Sequence, residues 1–157
     1  MNNKPTITIW RKGKFSVPGL VDKNKCGTLG QTEFNYSVEI TVDALDAKGF
    51  VCDNFNVPKA FERKFGQGVW EASCEQLAGG GIYMMKSLCD GRALKITSEV
   101  SPIAEAGVRV EWTLGQDLPT FFPKRLDKPK AHKATERQIG VGRRKLQGVG
   151  ADGQVVL

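Results

Sequence analysis

Four thiols, one imidazole and a scatter of carboxylates are the only side chains in this 157-residue chain with obvious catalytic potential. Cys26, Cys52, Cys74 and Cys89 have no CxxC spacing, so neither a dithiol redox motif nor a thiolate metal knuckle is indicated. Their simplest reading is as reduced core cysteines; a disulfide pair or a thiolate nucleophile is the alternative. A nucleophilic cysteine or serine needs a neighbouring base. The single histidine, His132, stands far from every cysteine in sequence. Asp43, Asp46 and Asp53 are close enough in sequence for paired acid–base work, but they sit where turns and caps use such carboxylates.

Charge is placed unevenly. From Met1 to Pro123, fourteen Lys and Arg balance fourteen Asp and Glu; from Lys124 to Lys145, nine basic residues face only Asp127 and Glu136. The net charge of +6 therefore belongs to the C-terminal stretch. Lys124, Arg125, Lys128, Lys130, Lys133, Arg137, Arg143, Arg144 and Lys145 form a cationic arm. Lys and Arg beside phosphates gain by counterion release, so a nucleic acid or another polyanion is the expected partner. Wrapping a sister subunit, or simple solvation, is the competing use. No run of eighteen apolar residues is present, which argues against a membrane-spanning helix. MNNKPTITIWRKGK lacks an apolar signal core, so a cytoplasmic protein is expected.

The elements that must position these groups read as follows. Val38, Ile40 and Val42 alternate with polar residues, the pattern of a half-buried strand. Leu45 to Gly49 supplies turn chemistry, and Phe50-Val51-Cys52 reads as a second, short extended piece. Asn54 or Asn56 caps a helix with Pro58 in its first turn; Val57, Phe61 and Phe65 fall on one face of it. Upstream, residues 6 to 10 form a strand, 11 to 14 a turn, and 15 to 17 a returning strand broken at Pro18-Gly19. Downstream of Gly66-Gln67-Gly68, Val69 to Ala72 is briefly extended. Ser73 and Gln76 then form a capping box.

The second helix carries Leu77, Met84, Met85 and Leu88, with Gly79-Gly80-Gly81 inside it. Each interior glycine costs roughly 1 kcal/mol against alanine, so close packing must hold the helix there. A phosphate-cradling loop is disfavoured, because no Lys-Ser/Thr follows. After a turn at Asp90-Gly91-Arg92, strands run over 93 to 100 and 108 to 113, joined by 102 to 107. This order predicts an α+β fold: an antiparallel sheet with two helices on one face. Residues 1–115 would form the domain and 116–157 the extended basic arm.

The run Asn35 to Val42, Leu45-Asp46, Gly49-Phe50-Val51, Asp53 and Phe55 resembles the 6-pyruvoyl- and 6-carboxy-tetrahydropterin synthases. Ser73-Cys74-Glu75-Gln76-Leu77-Ala78 is similar to that family's second helix start, and Val108 to Thr113 to its last strand. The resemblance implies the tunnelling fold, whose ββααββ units close into rings around a shared β-barrel, with active sites between subunits. It also implies a ligand-anchoring glutamate, for which Glu111 is the nearest counterpart, displaced by one position. Glu75 and Cys26 would lie near the ligand. The family's zinc histidines do not follow: its His-x-His positions read Thr32 and Phe34, and residues 65 to 72 lack its catalytic Asp-His pair. The expectation is a non-catalytic, self-associating protein without cofactor or metal, using its arm for assembly or nucleic-acid contact. A zinc-free pterin- or purine-binding enzyme or sensor, and a purely structural ring or shell component, are the alternatives.

Overall fold

The computed structural model describes residues 4–21, 31–53 and 55–127. Among them four long strands form one antiparallel sheet in the order β1 (Ile7–Ser16), β2 (Glu33–Val42), β4 (Lys95–Ile103), β5 (Ala106–Thr113). Two helices, α1 (Val57–Phe65) and α2 (Cys74–Leu88), come between β2 and β4 in sequence. The short strands β3 (Trp70–Glu71) and β6 (Lys124–Arg125) pair with each other. The α+β architecture is therefore as the alternation predicts.

Period-two burial places the core. Phe34, Tyr36, Val38, Ile40 and Val42 on β2, with Ile96, Ser98 and Val100 on β4, all point to the face that both helices cover. Phe61 of α1 packs 4.5 Å from the Phe15 ring and stacks on Tyr36 at 4.9 Å. The α1 cap is Asn56, whose side chain accepts from the Lys59 N–H, with Pro58 in the first turn. Ser73 and Gln76 make the reciprocal capping box that opens α2, satisfying donors that a helix start leaves without partners.

The triple glycine is a packing device. A Cβ on Gly81 would strike the Ser98 hydroxyl of β4, so α2 approaches the sheet more closely than any larger residue permits. Gly79 and Gly80 face the chain after β5 instead: a Cβ there would strike Phe121, and Pro123 at 2.9 Å, respectively. That segment is further fixed by the Tyr83 hydroxyl donating to the Pro119 carbonyl and by the edge-on packing of Tyr83 and Phe122 at 5.6 Å. One compact unit accordingly runs to Leu126. Residues 116–126, assigned from sequence to the arm, belong to the body because α2 is notched to receive them.

Three other expectations are corrected. Residues 11 to 14 form no turn: β1 is one continuous strand of ten residues paired along its length with β2. The charged run sits on a sheet edge, where Lys and Arg side chains reach water. Gly13 is tolerated within it because Tyr36 lies over the position, its hydroxyl 2.7 Å and its ring 2.9 Å from where a Cβ would stand. Phe50-Val51-Cys52 is not a strand; its carbonyl at Val51 accepts from the Arg92 guanidinium, and the Asp46 carboxylate holds the preceding turn by accepting from the Lys48 and Phe50 N–H groups, both at 2.9 Å. Finally, β4 continues through Pro102 to Ile103 across a register shift, so the expected six-residue connection shrinks to the turn at Ala104-Glu105. A proline within a strand is admissible at such an irregularity.

Candidate ligand-binding face of the sheet

The face of the sheet away from the helices is uncovered among the described residues. Strand register fixes its side chains in rows running across the strands. One row is Trp10, Glu39, Thr97 and Glu111; the next is Lys12, Ser37, Glu99 and Arg109; a third is Lys14, Asn35 and Ser101. Successive rows are two residues apart along each strand, about 6.6–6.8 Å. The Trp10 indole is 65 % exposed, unusual for the largest aromatic side chain.

An open cavity of about 480 Å3 lies over the second and third rows, lined by Lys12, Lys14, Asn35, Ser37, Glu99 and Ser101, with Gly13, Tyr36 and Ala104 completing it. Glu99 is engaged with Arg109, Oε1 to Nη2 at 3.2 Å. Lys12, Lys14, Asn35, Ser37 and Ser101 have no side-chain hydrogen bond or ion pair among the described residues. Donors with no internal partner thus gather around a hollow in which the nearby carboxylate is already neutralised.

The sequence-derived ligand residues do not gather in this way. Glu111 stands exposed on the open face, in the Trp10 row. Glu75 is exposed in the first turn of α2, in the layer that covers the opposite face. Within one chain the sheet separates them. Cys26 lies outside the described residues. Phe34, at a histidine position of the resembled family, is 1 % exposed and packs on Phe15 at 5.8 Å.

Cys52, Cys74 and Cys89 are buried free thiols. Burial, reinforced by the nearby Cys89, pushes the Cys52 thiol up to about 11, and burial also raises that of Cys89. Both stay protonated at neutral pH, the inert form of the side chain. No group of three His, Cys, Asp or Glu side chains suited to a metal ion occurs among the described residues.

Of the predicted polyanion contacts, Lys124 and Arg125 lie in β6, paired with Glu71 and Trp70 of β3. The Arg125 guanidinium sits 5.7 Å from the Trp70 ring centroid and Lys64 lies 5.8 Å from it. These two residues therefore serve the body of the protein, with aromatic contact fixing Arg125. Burial lowers the Lys64 pKa, and the Arg125 charge lowers it further. Lys128, Lys130, Lys133, Arg137, Arg143, Arg144 and Lys145 lie outside the described residues, as does His132.

The sequence did not single out the cavity. Its residues are common polar types from three strands, and only the register of β1, β2 and β4 joins them. No helix among the described residues is long and apolar enough to cross a membrane. Comparison of the chain with protein-family models, curated proteins and solved structures finds no match.

Proposed function

We propose that this is a non-catalytic assembly protein that associates with copies of itself through its sheet edges and uses its basic C-terminal arm to engage a polyanion, nucleic acid being the natural candidate. The observation that carries this reading is the pair of open edges. β1, ten residues long, and β5, eight residues long, border the sheet, and no further strand pairs with either among the described residues. Long unpaired edges are templates for another chain, and the Arg and Lys side chains of β1 restrict indiscriminate pairing there to a partner edge that can accommodate them. The succession β–β–α–α–β–β with both helices on one face is also the unit that the tunnelling-fold resemblance implies. In a head-to-tail ring, β5 of one copy would border β1 of the next. The non-catalytic part of the reading rests on the missing imidazoles and on the protonated state of the buried Cys52 and Cys89 thiols.

Light scattering on the full chain tests assembly: the expected mass is a concentration-independent multiple of 17.2 kDa, and a monomer at all concentrations would sink the proposal. Neutralising Arg143, Arg144 and Lys145 to Gln separately tests the arm. The expected result is weaker polyanion binding regardless of sequence and a salt slope reduced by roughly 2–3; an unchanged isotherm would count against the arm's role.

A further inference from the structure

We propose that the cavity on the open sheet face is a binding site for a small phosphomonoester, of the size and polarity of a sugar phosphate. The site needs neither the arm nor assembly, so it stands or falls separately from the function proposed above.

The inference begins with the two lysines. Lys12 and Lys14 are on the same side of β1, about 6.6–6.8 Å apart by strand rise, with no acidic partner among the described residues. Two ammonium groups on flexible four-carbon stems can converge on one dianion. Directly across from them in register are Ser37 and Asn35, and beyond Asn35 lies Ser101. All three are half-buried side chains whose donors no group among the described residues uses. A phosphate monoester offers three strongly accepting oxygens and a charge near −2 at neutral pH, which matches two cations and a short row of neutral donors. A lone monocarboxylate would leave most of those donors unmet.

Cavity size and lining decide the rest of the ligand. About 480 Å3 is far more than one phosphate occupies and falls in the range of small-molecule sites. Most of the lining residues are polar or charged types, although much of the surface they turn to the hollow is apolar; the one aromatic residue among them is Tyr36, a buried side chain that packs on Phe61 in the core. A flat apolar ligand would find nothing to stack on. A hydroxylated body would find the Glu99 carboxylate, the Ser hydroxyls, Gly13 of β1 and the turn at Ala104. Glu99 is held by Arg109 at 3.2 Å, which moderates its repulsion of an incoming dianion.

Calorimetric titration of the full chain with ribose 5-phosphate tests the proposal, with ribose, inorganic phosphate and an oligothymidylate lacking a terminal phosphate as comparison ligands. Saturable one-to-one binding of ribose 5-phosphate is expected, with weaker binding of inorganic phosphate and none of ribose. Affinity should fall as pH drops below about 6, where the monoester loses its second charge. Replacing both lysines (Lys12→Gln and Lys14→Gln) should weaken binding by about a hundredfold, and Ser101→Ala by several-fold. Lys95→Gln, on the same face but outside the cavity, should change it less than twofold. All four positions are at least partly exposed, and an unchanged thermal midpoint would verify that each variant folds. The proposal is overturned by absence of saturation, by an equal loss on Lys95→Gln, or by lysine-dependent oligothymidylate binding tighter than that of ribose 5-phosphate. The last outcome would make the face a backbone-binding surface instead.

Discussion

The two faces of the sheet are made by the same four strands and differ in what alternates onto them. On the covered face, β2 presents five consecutive inward positions that are all buried and apolar or aromatic. On the open face, the intervening residues are Glu33, Asn35, Ser37, Glu39 and Thr41, in register with Lys, Trp, Thr and Ser of the neighbouring strands. The covered face is tuned by close approach, down to a glycine opposite the Ser98 hydroxyl. The open face is tuned by what it leaves unsatisfied. Stability therefore resides on one side of a sheet roughly one residue thick, and recognition has room to reside on the other.

Substitutions on the two sides should separate cleanly. Phe61→Ala removes a ring that contacts Phe15, Tyr36 and Phe65 and should cost about 3–5 kcal/mol in denaturant unfolding; a loss under 1 kcal/mol would mean that the covered face does not carry the stability. Ser98→Ala sharpens the contrast from within that face. The Ser98 hydroxyl is fully buried and has no hydrogen-bond partner, so its removal should leave stability unchanged or raise it by about 1 kcal/mol. A marked loss would reveal a partner for it. Trp10→Ala, on the open face, should shift unfolding by no more than about 0.5 kcal/mol. A larger cost would show that the indole is covered in the protein as it exists in solution, which an assembled ring would also explain. Light scattering of the variant distinguishes the two.

The covered face was the legible one. Alternation in β2, the Ser73 cap and the spacing of Val57, Phe61 and Phe65 are local signals, and each formed as local chemistry dictates; of the two asparagines able to cap the first helix, Asn56 does so. The triple glycine announced close packing, although sequence could not say that Gly79 and Gly80 receive residues 121–123 while Gly81 receives β4. The errors arose where tertiary context overrode a local cue. Arg11-Lys12-Gly13-Lys14 has turn composition, yet it lies in an edge strand because Tyr36 shields the glycine. Pro102 suggested a loop, yet the strand absorbs it at an irregularity. The open face was nearly illegible, because its cavity joins residues 12–14, 35–37 and 99–104, whose proximity exists only once three strands are in register. The resemblance directed attention to Glu111 and Glu75, which the folded chain places on different layers.

The clasp that residues 116–126 form over α2 has a consequence for how the molecule is made. Phe121 and Pro123 fill the notches of α2, and β6 joins β3 at Trp70, whose backbone also bridges to Leu20. Contributions from residue 20, residue 70 and residue 125 thus meet at one seam. During synthesis the amino-terminal sheet pair and both helices emerge first, but the outer side of α2 stays unsealed until the clasp has cleared the ribosome. The clasp thus seals a seam whose other strands and helices are synthesised before it, and the basic stretch opens inside it, at Lys124 and Arg125 of β6.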